Sequence, residues 1–348
     1  MSETVRDPAQ KIFVQRFIDW ELVSKRILQF KNIAKAFPLE VLKVSRPPYH
    51  CHPMAWRLGV WSDECFPYLD RLLEIAGSLP NWDTESSLCK SLDFSDFWSW
   101  YWQIQVASFL KKAGALCVWR ESGPDLEIGE GGGRFFIECY CPRKSFGVIE
   151  FIREVMGQIC PRIKVEAKFW SKIDINQKAK DLNELLDSLF SPLLNEDFLR
   201  AQIKKSNSSC PHYLEIPEGF PDELLIYIEG EDRSRHDLNL EKSNIGGNPE
   251  DYLSSHYLSR VISAKLGKND LVNCRPNVLA INLLLDKNAE TAQQMRGFEE
   301  PKLNSELDAI LYGFCGINAK GFPPGMKFYS GIAEHPILEF ISPPFFAC

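Results

Sequence analysis

The sequence predicts an α/β protein in which an N-terminal helical region precedes a core ordered helix, strand, strand, strand, helices, strand. Three observations carry that prediction. Apolar residues at helical spacing through Phe97, Tyr101, Ile104 and Leu110 stop at Gly114, as they do in a buried helix with a glycine stop. Short apolar runs follow at 115–119, 126–128 and 135–140, the last two joined by the glycine-rich turn 129–133. Helical spacing then returns over 146–159 and 173–189, ahead of another apolar run at 224–229.

In chain order, residues 10–37 set Phe13, Phe17, Trp20, Leu22, Ile27 and Phe30 near helical spacing, and Pro47-Pro48 closes that unit. A second helix is expected over 62–76, with Phe66, Leu69, Leu72 and Leu73 inward, followed by a turn at 80–83. The helical region is therefore assigned to residues 1–87 and the core domain with its C-terminal strands to 88–348. Asp93 or Ser95 is the expected cap of the long helix. Its aromatic start, Phe97, Trp98, Trp100, Tyr101 and Trp102, reads as core in preference to a platform for stacked bases. Pro142 ends the third strand because it cannot continue a ladder. The 173–189 helix carries Ile175, Ala179, Leu182, Leu185, Leu186 and Leu189 on one face, and further strands are expected at 278–285, 309–314 and 328–332. The polar loop 233–248, with Gly246-Gly247, is placed to move or to close over a ligand.

Composition narrows the function classes. With 45% hydrophobic and 25% charged residues, the chain is globular and long enough for a sizeable core. No apolar run reaches the length of a membrane span and no secretory leader is evident, so a cytoplasmic protein without a membrane partner is expected. Eleven cysteines, scattered and with no Cys-x-x-Cys pair, read as reduced thiols. The clusters His50-Cys51-His52, Cys139-x-Cys141 and Cys210-Pro211-His212 lack the second pair a tetrahedral zinc site needs. A net charge of -7 does not advertise a nucleic-acid surface, but ten Lys or Arg against five acids in the first sixty residues leave room for a basic face. The turn 129–133 is not a phosphate-binding loop, since no Gly-Lys-Ser/Thr and no helix follow it. No Gly-x-Ser-x-Gly elbow supports a serine or cysteine triad.

The chemistry concentrates in the hairpin. Asp125 and Glu127 precede its turn and Glu138 follows it, so neighbouring extended segments each offer carboxylates, which a hard divalent cation requires. Pro124-Asp125, a hairpin and then Glu138-x-Tyr140 resemble the signature of the PD-(D/E)xK nuclease-like superfamily, with Asp125 and Glu138 at the two acidic positions and Tyr140 where that family carries lysine. The resemblance covers roughly residues 92–189. It implies a restriction-endonuclease-like α-β-β-β-α-β core with a mixed sheet, and a nuclease hydrolysing DNA or RNA with Mg²⁺, or with Mn²⁺. On that reading Asp125, Glu138 and the carbonyl of Cys139 hold the metal, and Glu127 completes the set or holds a second ion. The missing cation is supplied by Lys144, by Arg143 as a charge clamp, or by Lys178 or Lys180 from the following helix. Gln177 is placed to bind a water or a phosphate oxygen, and Gln103 on the aromatic helix to approach the acids. The alternative is a nuclease-like domain without catalysis, serving as a binding or regulatory module that recruits nucleic acid or another protein.

Overall fold

A computed structural model of the chain describes residues 17–44, 51–61, 63–82, 97–129, 133–141, 145–167, 179–206, 211–218, 220, 224–230, 262–263, 265–266, 270–282, 307–314 and 325–330. Among them the α-helices are α1 Trp20–Gln29, α2 Lys31–Ala36, α3 Leu39–Leu42, α4 Pro53–Val60, α5 Phe66–Gly77, α6 Phe97–Lys112, α7 Ser145–Ile159, α8 Ala179–Phe190 and α9 Glu196–Lys205. The strands are β1 Cys117–Trp119, β2 Leu126–Ile128, β3 Phe135–Tyr140, β4 Ile163–Ala167, β5 His212–Tyr213, β6 Leu224–Ile228, β7 Asn277–Asn282, β8 Ala309–Phe314 and β9 Gly325–Ser330. The protein is a mixed α/β chain whose described strands form two sheets, and no described helix is long and apolar enough to cross a membrane.

The chain divides into two units, one made of 1–23, 40–60 and 145–249, the other of 24–39, 61–144 and 250–348. The expected boundary at residue 87 falls outside the described residues. In the first unit β4, β6 and β5 form a small antiparallel sheet in that order. Trp56 packs edge-on against Phe151 and donates its indole N–H to Glu154 at 2.6 Å, while the buried Arg57 pairs with Glu150 at 3.2 Å. These contacts fix α4 on α7 and give the buried guanidinium the counter-charge it needs.

The second unit holds a six-stranded mixed sheet in the order β1-β2-β3-β7-β8-β9. β1, β2 and β3 run antiparallel, β7 and β8 run parallel to β3, and β9 returns antiparallel. The strand expected to complete the core after the helices, β6, lies in the other sheet, and β7 takes the place beside β3. The sequence of β7, Asn-Val-Leu-Ala-Ile-Asn, is buried at every position, the pattern of a parallel strand covered on both faces. Its start is tied to β8 by a reciprocal pair: the Asn277 N–H donates to Asp308 at 2.8 Å, and the Asp308 N–H donates to the Asn277 side-chain oxygen at 3.0 Å.

One face of this sheet, Leu126, Ile128, Phe135, Ile137, Cys139, Val278 and Ala280, forms a single core with Trp102, Val106 and Leu110 of α6. Trp102 also donates its indole N–H to the Ala280 carbonyl at 2.9 Å, which pins the helix to β7. The aromatic start of α6 is buried throughout, as its helical spacing predicts. The helix ends where glycine was expected: Gly114 has φ +89°, its N–H donates to the Lys111 carbonyl, and the Ala115 N–H donates back to Leu110. Those two bonds cap the last carbonyls with Ala115 and Leu110 together in the core, and they set the direction in which β1 leaves.

Candidate active site

The β2–β3 ladder sets Leu126 opposite Ile137 and Glu127 opposite Phe136. Continued by one step, that register brings Asp125 across from Glu138 and Pro124 across from Cys139. Proline at that point has no N–H for the ladder, and β2 begins only at Leu126. The Cys139 N–H that a longer strand would have bound is taken by the Asp125 carboxylate instead, at 2.7 Å. The other Asp125 oxygen accepts the side-chain N–H of Gln103 from α6 at 3.0 Å. Gln103, expected near the acids, is there.

Glu138 points to the sheet face away from α6, together with Phe136 and Tyr140, and is 6% exposed. One of its oxygens meets the Lys265 ammonium at 2.5 Å. The other is buried and has no hydrogen-bond partner among the described residues. The same ammonium lies 5.2 Å from the centre of the Tyr140 ring, within cation–π range. The residue standing in the lysine position of the resembled motif thus forms one wall around a lysine that arrives from elsewhere in the chain.

Electrostatics mark the pair. Burial, reinforced by the neighbouring Glu138 charge, pushes the Asp125 carboxyl up to about 7, against the opposing pull of the Cys139 N–H and of Lys265. The Cys139 thiol is raised well above its ordinary value, by burial first and by the two carboxylates second, so this buried sulfur stays protonated.

Other expected site residues stand elsewhere. Glu127 shares the Glu138 face but is engaged by two guanidinium groups, Arg120 at 3.2 Å and Arg134 at 3.3 Å. Among the described residues no group of three or more His, Cys, Asp or Glu converges as a metal site. Arg143, Lys144, Gln177 and Lys178 lie outside the described residues, as does the side chain of Lys180 at the start of α8. Among the described residues the cation at the carboxylates is Lys265. Sequence reasoning missed it because nothing in its spacing from the hairpin marks it; the one local signal is that Ile262 and Leu266, at i and i+4, are both buried, the spacing of a helical turn with Lys265 beside it.

The constellation is therefore two adjacent carboxylates at the open end of the β2–β3 pair, an amide orienting one, an ammonium touching the other, and an aromatic ring holding the ammonium. Comparison with protein-family models, with curated proteins and with solved structures finds no match for this chain.

Proposed function

We propose that the chain is a metal-dependent nuclease of the PD-(D/E)xK type, cleaving phosphodiester bonds of DNA or RNA at Asp125, Glu138 and Lys265. The observation that carries this reading is the Lys265 ammonium at Glu138, beside the tyrosine that replaces the motif lysine. Element order supports it too. A buried helix, three antiparallel strands and a parallel strand beside the third make a mixed sheet compatible with a restriction-endonuclease-like core.

The donor set fits Mg²⁺ or Mn²⁺. Two carboxylates side by side, one with a buried oxygen that has no partner among the described residues and the other with its proton affinity raised by burial and then by its neighbour, form an anionic pair short of positive charge. Mg²⁺ commonly uses one or two carboxylates, with water and phosphate oxygens completing its shell. Asp125 and Glu138 would hold the ion, and once bound it would polarise the phosphate and lower the pKa of a bound water. Gln103 and the Cys139 N–H fix the orientation of Asp125. Lys265, steadied on Tyr140, supplies positive charge where negative charge gathers on the phosphate oxygens. As a flexible N–H donor it would also orient an attacking water.

The contact ion pair favours one other reading, a nuclease-like module in which Lys265 neutralises Glu138 permanently and no metal enters. A single experiment separates the two. Purified protein with Mg²⁺ or Mn²⁺ should cleave single- or double-stranded DNA or RNA, with at least about a hundredfold loss in Asp125→Asn, Glu138→Gln and Lys265→Met. Unchanged cleavage in those variants overturns the site. Absent cleavage together with absent Mg²⁺ binding by calorimetry establishes the module.

A further inference from the structure

The face that carries Glu138 also carries a second charged group. Arg120 follows β1, sets its guanidinium carbon 4.8 Å from the centre of the Phe136 ring and donates to Glu127, and Arg134, just before β3, donates to the other oxygen of Glu127. Two guanidinium groups thus share one carboxylate, leaving a net positive charge. Their side chains are 27% and 58% exposed, and the Nη2 groups of both have no partner among the described residues. The cation–π contact with Phe136 and the hydrogen bonds to Glu127 and to the Ser122 carbonyl together hold Arg120 in place. Phe136 and Glu138 are alternate residues of β3, so the fork stands about 7 Å along the strand from the carboxylate pair. In a chain of net charge -7, a local cation at that distance matters for binding a polyanion.

We propose that Arg120 and Arg134, gathered on Glu127, form an anion subsite for the phosphate next to the one cleaved. The substrate is then a polynucleotide strand laid along β3, as opposed to a small phosphodiester. The inference rests on the nuclease reading and extends it to substrate class. Phosphates repeat along a nucleic-acid strand at the spacing of neighbouring nucleotides, so one strand can meet both the acids and the fork. Glu127 acts here as the organiser of the arginines, a positioning residue and not a metal ligand.

The test is binding without turnover. Fluorescence anisotropy in EDTA, with labelled single-stranded and duplex oligonucleotides, measures affinity across a salt series for the natural chain, for Arg120→Gln/Arg134→Gln and for Glu127→Gln. The double arginine variant is expected to bind at least about tenfold more weakly, with a salt slope shallower by about 0.7–0.9 for each phosphate that is no longer neutralised. Glu127→Gln keeps an oxygen that accepts from a guanidinium group while removing the negative charge between the two, and is expected to tighten binding, an effect of opposite sign that mere structural damage would not produce. Equal oligonucleotide affinity and slope in the natural chain and the double variant overturn the subsite, as does failure of the natural chain to bind. Arginine-dependent binding without cleavage of the same oligonucleotides once Mg²⁺ replaces EDTA leaves the subsite standing and overturns the nuclease reading alone.

Discussion

Asp125 carries a measurable signature in its proton. Its folded pKa, about 7, lies above the ordinary 3.8, so the folded chain holds that proton more tightly than the unfolded chain does. Stability from this group is complete below 3.8 and is lost as pH rises through about 7. Asp125→Asn removes the charge but not the bonds: its oxygen still accepts from Cys139, and its amide donates to Gln103 once the Gln103 amide turns over. Urea denaturation at pH 8 should find the variant more stable than the natural chain by about 1–3 kcal/mol, with the gap closing toward pH 4. Mg²⁺ at pH 8 should raise the Tm of the natural chain and leave that of the variant unmoved. A variant less stable at pH 8 would show that the carboxylate is not burdened by its burial. None of this depends on activity, so it examines the electrostatics of the pair by themselves.

The hairpin sets that electrostatics by its turn. Gly129 has φ +89°, and a Cβ there would meet the Gly133 carbonyl oxygen at 2.9 Å. Gly129→Ala should therefore cost about 1–3 kcal/mol, read as a fall in Tm, because both the backbone region and the space exclude a side chain. It should also weaken Mg²⁺ binding, since Asp125 reaches Cys139 only through the register of β2 on β3. This element was legible in the sequence. Alternation, the glycine turn and Pro124 together specify two short strands and the acids at their open end. The helix before it was legible for an equally local reason, its apolar period and the stop at Gly114. The N-terminal helix was legible in kind but not in extent: within the described residues it breaks at Phe30 into α1 and α2. The strands β4 and β5 and the helix α9 went unread. Lys164 and Glu166 alternate with apolar residues on too short a run to stand out, and α9 carries little apolar surface.

At the scale of the whole molecule, the sheet is completed by residues far from the hairpin in sequence. β7 and β8 run parallel to β3, and such strands need long crossovers. Local patterning identifies β6 and β7 equally well as strands but holds no information on which of them sits beside β3. Lys265 escaped notice for the same reason, because tertiary closure and not spacing brings it to Glu138. A chain cut after residue 249 would keep β1, β2 and β3 but lose β7, β8 and β9. It is expected to expose the β3 edge and to aggregate or lack a cooperative thermal transition by circular dichroism, whereas the full chain melts cooperatively.

The lateness of Lys265 has a consequence for the life of the protein in a cell. During synthesis both acids leave the ribosome well before their ammonium exists, and β3 then has no neighbour on its inner side. If the proposed nuclease reading holds, a half-made molecule of this kind would lack the charge set that reading needs, and competence would begin only when residue 265 has been made and has closed upon the acids.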